Sequence, residues 1–240
     1  MRIACYALAH NEELFIPHFI KHYKQFCSKI TIYDNMSTDN TKHIALDNGC
    51  NVISWEALGG GLNDKAYIEI KSECYKKDRE FFDWVITVDC DELITHKNGI
   101  SDLLNYLENC KNKNIKLPKV QGYNMFSWDY DFKNPIDSIK HCIPSESYSK
   151  SVVFNPELNI SWDAGCHHCN LANDSESTEI ILKHYKYINF EYVINRSKYF
   201  GSRLSKTNLE NGYGVHYLWS SDDWFNYFKK LDKEKMYYGS

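Results

Sequence analysis

The sequence predicts an α/β protein: a mostly parallel sheet flanked by helices, with a smaller mixed C-terminal part. Three observations predict it. Over the first hundred residues, short apolar runs alternate with segments of helical apolar periodicity. The run Trp84 to Val88 does not alternate, which marks a strand buried on both faces. That run ends in Asp89, Asp91 and Glu92, three acids within four residues, at the carboxyl end of a strand where open α/β sheets bind ligands.

Ile3 to Leu8 reads as the first strand. Asn11 is positioned to cap the next helix, Glu12 and Glu13 favour its positive end, and Pro17 fits its first turn. Phe15, Ile16, Phe19, Ile20, Tyr23 and Phe26 form its apolar stripe. Lys29 to Tyr33 is the second strand, followed by the polar loop Asp34–Thr41 and a helix ending near Asn48-Gly49. Asn51 to Trp55 is the third strand. Gly59-Gly60-Gly61 is either a connector or a loop that lets backbone approach a ligand. Asn63 or Asp64 caps a helix with Ala66, Tyr67, Ile70 and Cys74 on its inner face, and the fourth strand follows. Beyond Asp91 the order changes. Ser101 caps a helix carrying Leu103, Leu104 and Leu107; Lys119–Phe126, Lys150–Phe154, Ile160–Trp162 and Glu179–Leu182 are strand-like. Residues 133–149 read as loop, and helices cover Phe190–Tyr199 and Ser221–Met236. The expected organisation is one domain over 1–240, with a ligand-binding half at 1–94, a second half at 95–187 and C-terminal helices at 188–240.

The net charge of −4 gives no electrostatic case for nucleic acid. No stretch reaches the roughly 20 apolar residues of a membrane span, and the N-terminus lacks a signal-peptide pattern. The nine cysteines, an odd number without a secretion signal, point to reduced thiols and a cytoplasmic setting. Peripheral contact with a membrane would fall to Trp224–Tyr238, aromatic on one side and lysine-rich on the other.

Three loops leave the first, second and fourth strands at one sheet edge: Ala9–Glu12, Asp34–Asp39 and Asp89–Glu92. The first two offer partners for a base and ribose. In the third, two aspartates one residue apart suit a hard divalent cation that bridges phosphates; the plain alternative is a solvated acidic turn. Asn11-Glu12, Tyr33-Asp34-Asn35 with Ser37-Thr38-Asp39, and Asp83-Trp84 through Val88-Asp89-Cys90-Asp91-Glu92 together resemble nucleotide-sugar glycosyltransferases of the GT-A (Rossmann-like) fold, in the family-2-like branch with a D-x-D-E motif. The resemblance covers Met1 to about Ile94. Beyond it, Lys150, Gly165-Cys166-His167 and His184-Tyr185 still fit.

The resemblance implies a transferase that moves a sugar from a nucleotide-diphosphate donor to a hydroxyl on a glycan, lipid-linked or protein acceptor, with inversion. Ala7, Ala9, Glu12 and Asp34 would line the nucleotide, Lys65 would touch phosphate or sugar, and Asp89 would serve ribose or metal. Asp91 would be the main ligand of manganese or magnesium. A histidine would complete the metal site, His167 first and His184 second among His167, His168, His184 and His216. A general base is needed for the acceptor hydroxyl, and Asp129 and Asp131 in the aromatic loop Trp128–Phe132 are its candidates. Cys166-His167-His168-Cys169 has zinc-like spacing but lacks a second cysteine pair, so a zinc-binding or interaction module is the alternative. A D-x-D phosphoryl-transfer enzyme is a third, disfavoured because its nucleophile usually follows the first strand.

Overall fold

The computed structural model describes residues 1–57, 61–175 and 178–238. Gly59 and Gly60 of the expected loop lie outside the described residues. Gly61 has a φ of 73°, and a Cβ there would meet the Arg203 carbonyl oxygen at 2.2 Å, so close backbone approach requires glycine.

The first half builds as expected. The order is β1 (Ile3–Ala9), α1 (Ile16–Tyr23), β2 (Lys29–Asp34), α2 (Thr41–Asp47), β3 (Asn51–Ser54), α3 (Asp64–Glu73) and β4 (Trp84–Asp89). The strands pair in parallel in the order β3-β2-β1-β4. β1 is buried along its whole length, and β4 is buried up to Asp89. In α1, Ile16, Phe19, Ile20 and Tyr23 are buried and Pro17 occupies the first turn, where its missing N–H costs nothing. Asn11 is not the cap. Phe15 holds that position without a side-chain bond, while Asn11 adopts left-handed backbone (φ 53°) and ties its side chain to Thr38.

The second half departs from expectation at its joins. β5 (Glu92–His96) begins directly after the acidic turn and opens a second sheet; α4 (Ile100–Asn112) follows, starting at Gly99 rather than Ser101. Then come β6 (Val120–Phe126), β7 (His141–Pro144), β8 (Val153–Phe154), β9 (Ile180–Tyr187), α5 (Phe190–Ser202), α6 (Lys206–Asn211), α7 (Ser221–Glu234) and β10 (Met236–Tyr237). The mixed second sheet runs β10-β7-β6-β9-β5, while β8 returns to the first sheet antiparallel to β4. β7 was hidden by the polar, proline-containing surroundings of 133–149. Ile160–Trp162 is not a strand; Trp162 makes only an isolated bridge to Cys169. β5 straddles position 94 and β8 crosses back, so the two halves interlock.

One apolar cluster joins both sheets, with Tyr6, Trp84 and Val85 from the first and Leu93, Leu182 and Tyr185 from the second. A smaller one packs α7 onto β6, β9 and α5 through Trp224, Phe228 and Leu231 with Phe126, Tyr187 and Val193. Trp224, Phe228 and Leu231 of α7 are therefore spent on the core, while Phe225, Met236 and Tyr237 of the segment 224–238 stay exposed. No helix among the described residues is long and apolar enough to cross a membrane.

Candidate active site

The parallel register fixes where the acids stand. Ala9 lies opposite Asp34 and Leu8 opposite Asp89, so the loops after β1, β2 and β4 leave one edge. Between Asp89 and Glu92 the chain passes from the first sheet to the second. In the second sheet Glu92 faces His184 of β9, and the Tyr185 N–H donates to the Asp91 carbonyl at 2.8 Å. A pocket of about 350 Å³ opens at this junction. Asp89, Asp91, Glu12 and Asp64 supply its acids, Lys71, Lys150, Lys186 and Arg196 its cations, and His184 and Tyr217 stand beside them.

The three acids of the motif have different partners. Asp89 Oδ1 pairs with Lys71 Nζ at 2.8 Å, and Lys71 is 4% exposed. Burial alone would raise the Asp89 carboxyl, but Lys71 and Lys150 override it and hold it below the usual range. Glu92 Oε1 pairs with Lys150 Nζ at 2.6 Å, each side chain 1% exposed, while Glu92 Oε2 accepts from the Asp89 N–H at 3.1 Å. Both Glu92 oxygens are thus engaged in fixing the turn. Asp91 Oδ2 stands 3.5 Å from His184 Nε2. Burial pushes the Asp91 carboxyl up, but His184 in its charged form, Arg196 and Lys186 more than offset this, so it stays ionised.

His184 is set by its other nitrogen. Nδ1 lies 2.7 Å from Asn124 Oδ1, an acceptor, so Nδ1 carries a proton; Nε2 faces Asp91, donating toward it while the ring is charged and offering a lone pair to a cation once that second proton is lost. Tyr148 stacks on the ring at 3.7 Å and 17°. Asp91, Glu92 and His184 are the only His, Cys, Asp and Glu side chains among the described residues whose ligand atoms gather in a group of three, within 4.8 Å. Ligands at right angles about 2.1 Å from a hard cation are about 3 Å apart, so the 3.5 Å between Asp91 and His184 would have to close by about half an ångström around one.

The other expected residues fall into two sets. Ala9, Glu12, Asp89, Asp91 and His167 line the pocket. Glu12 pairs with Arg196, its Oε2 is buried without a hydrogen-bond partner among the described residues, and burial pushes its carboxyl up against the pull of Arg196. His167 bonds Ser147 O through Nδ1 at 2.8 Å and lies outside the Asp91–Glu92–His184 group. Ala7, Asp34, Lys65, Asp129 and Asp131 do not line the pocket. Ala7 is buried in β1 one residue before the lining Leu8, Asp34 accepts from the Ser37 N–H, and Lys65 is exposed. Asp129 and Asp131 are exposed, the latter closing a turn with the Lys133 N–H. Cys166 and Cys169 form no metal-type group among the described residues; Cys169 Sγ donates to Leu171 O at 3.3 Å.

Sequence reasoning missed Lys71, Asn124, Lys186, Arg196 and Tyr217. Lys71 and Lys186 carried a usable signal. Asp64, Tyr67 and Lys71 are spaced to share one face of α3, and His184 and Lys186 stand two residues apart in a strand. Asn124 and Arg196 carried none, because their partners are 60 and 184 residues away.

A sequence model of glycosyltransferase family 92 matches residues 64–234. An uncharacterized glycosyltransferase of Rickettsia typhi is 25% identical over 232 residues, spanning 88% of this chain and 69% of its own. Another from Rickettsia prowazekii is 24% identical over 225 residues with the same coverage. Among solved structures, glucosyl-3-phosphoglycerate synthase from Mycobacterium tuberculosis, in complex with Mn2+, UDP and glucosyl-3-phosphoglycerate, overlaps 51% of this chain and 44% of its own, at 19% identity and a TM-score of 0.34. At that score the overlap carries no chemistry across.

Proposed function

Because the chain belongs to glycosyltransferase family 92, we propose that it transfers a sugar from a nucleotide-diphosphate donor to an acceptor hydroxyl, with inversion, using a divalent cation at Asp91 and His184. The observation that carries this reading is the 3.5 Å approach of the Asp91 carboxylate to His184 Nε2 at the carboxyl edge of the sheet, with His184 Nδ1 held by Asn124. Carboxylate and imidazole suit Mn2+ or Mg2+, and such an ion supplies positive charge to the departing diphosphate.

The chain's own residues do the rest. Ala9 and Glu12 line the nucleotide end, where the unpartnered Glu12 Oε2 accepts from a ribose hydroxyl or a base N–H. Asp89, tied to Lys71, keeps the ribose-side wall in place. Among the described residues Asp64 and Asp91 are the lining carboxylates without a lysine or arginine at ion-pair distance, and Asp91 faces His184; Asp64 accepts from Asn208 Nδ2 at 3.0 Å, and burial raises its carboxyl. A carboxylate made more basic by burial suits a general base, and Asp64 takes this role in place of the exposed Asp129 and Asp131. Asp64→Asn should lower kcat roughly 100-fold or more and leave donor affinity within about twofold; equal losses in both would place Asp64 in donor binding instead.

The reading as a whole is tested by thermal melts with UDP and GDP, with and without Mn2+, and by hydrolysis of a panel of nucleotide sugars. A protein that is stabilised by no nucleoside diphosphate and hydrolyses no donor would refute it. Asn124 sharpens the metal assignment. Asn124→Leu frees the His184 ring to take the other tautomer, and Mn2+ affinity should fall about 10- to 100-fold while Asn124→Asp retains it. Manganese titration followed by electron paramagnetic resonance reads the affinity, and long-range nitrogen NMR reads the tautomer directly.

A further inference from the structure

Resting on the donor reading above, we propose that Lys186 binds the donor diphosphate and holds it as the leaving group. The pocket has four cationic side chains, and three are matched by acids: Lys71 by Asp89, Lys150 by Glu92 and Arg196 by Glu12. Lys186 has no carboxylate within ion-pair distance among the described residues. One of its three N–H groups meets His216 Nε2 at 2.9 Å. Its other near neighbours are aromatic faces, with ring centroids of Tyr217, Tyr187 and Trp224 at 4.7, 5.7 and 5.9 Å.

Rings orient an ammonium without neutralising it, so two donors remain for an anion. Enclosing a cation without its counter-ion is costly, and an arriving anion recovers that cost. Position selects the anion. Lys186 lies two residues beyond His184 on β9, where the register against β6 shifts by one residue, and both side chains line the pocket with Asp91. A diphosphate at the Asp91–His184 site comes within reach of the Lys186 ammonium.

In the transfer, the bond between the anomeric carbon and the β-phosphate oxygen breaks and both electrons stay on that oxygen. The acceptor oxygen forms the new bond to the anomeric carbon, and its proton passes to Asp64. Charge grows on the oxygen that Lys186 faces, so the interaction is stronger in the transition state than in the bound donor.

The test is calorimetric titration of wild type, Lys186→Met and Lys186→Arg with UDP or GDP (whichever binds wild type), the matching nucleoside monophosphate and nucleoside, and inorganic pyrophosphate. Each is run with Mn2+ and with a chelator. Lys186→Met should weaken diphosphate binding roughly 10- to 100-fold under both conditions, leave the nucleoside unchanged and leave Mn2+ affinity without nucleotide unchanged. Lys186→Arg should recover most of the loss. A folded Lys186→Met that binds the diphosphate like wild type overturns the assignment and directs Lys186 to an acidic acceptor. If wild type binds pyrophosphate through Lys186 but no nucleoside diphosphate, the donor reading falls and the anion site stands. If it binds neither, both fall.

Discussion

Asp91→Asn should abolish Mn2+-dependent binding of a nucleoside diphosphate and lower turnover by roughly 1000-fold or more, with the fold intact. The magnitude follows from the several kcal/mol that a cation contributes to a developing phosphate charge, at 1.4 kcal/mol per tenfold in rate. Asparagine keeps the shape of the side chain and the backbone bond from Tyr185 N–H to residue 91 O, so the turn between the sheets survives. What is lost is the anion opposite His184 Nε2. The sign without metal separates this from general damage. Asp91 lies close enough to Lys186 and Arg196 to act on both, and removing its negative charge leaves those cations less compensated. In chelator, the variant should bind the diphosphate as well as wild type or slightly better, while in Mn2+ it should bind far worse. Asp89→Asn should lose less with metal, since Asp89 Oδ1 is already engaged by Lys71. Calorimetry under both conditions decides it. A wild-type Mn2+ response in Asp91→Asn would remove Asp91 from the metal site.

The first sheet was legible because β1 and β4 are buried on both faces and α1 carries a clean apolar stripe. β1 and α1 follow directly from Ile3–Ala9 and the Ile16–Tyr23 pattern. β5 was not legible. Glu-Leu-Ile-Thr-His follows Asp89 and Asp91 so closely that its first residue reads as the end of an acidic loop, yet Glu92 is a fully buried strand residue held by a lysine 58 positions away. The same distance problem governs the site. Asp91 announced itself by its place after an apolar strand, whereas the rank of His167 over His184 depended on which late histidine the second sheet delivers. The antiparallel pairing of β5 and β9 delivers His184 to the motif. Asp129 and Asp131 drew attention by their aromatic neighbours, but Trp128 packs against Phe126, Phe190 and Phe228, and the acids point to solvent. A short-range pattern cannot distinguish an aromatic platform for a sugar from an aromatic corner of the core.

Lys150→Met should destabilise the protein by about 3–5 kcal/mol, the usual cost of leaving one partner of a buried ion pair behind. The pair is 2.6 Å long and almost wholly inaccessible, and Glu92 Oε1 has no other hydrogen-bond partner among the described residues, so water does not replace the lysine. Chemical denaturation without metal measures the loss. A change below about 1 kcal/mol would mean that the pair contributes little to holding Glu92. The double variant Lys150→Met/Glu92→Leu should recover most of the stability, because two apolar side chains of similar length replace two charges that no longer need solvation. It should not recover function. Glu92 Oε2 accepts the Asp89 N–H and thereby fixes the turn that carries Asp91 toward His184. With that acceptor gone, the Asp89 N–H loses its partner and the turn loosens, so Mn2+ affinity should stay at least about tenfold below wild type in the stable double variant. That separation, stability restored and metal binding not, distinguishes a pair kept to position the Asp91 turn from one kept to hold the fold together.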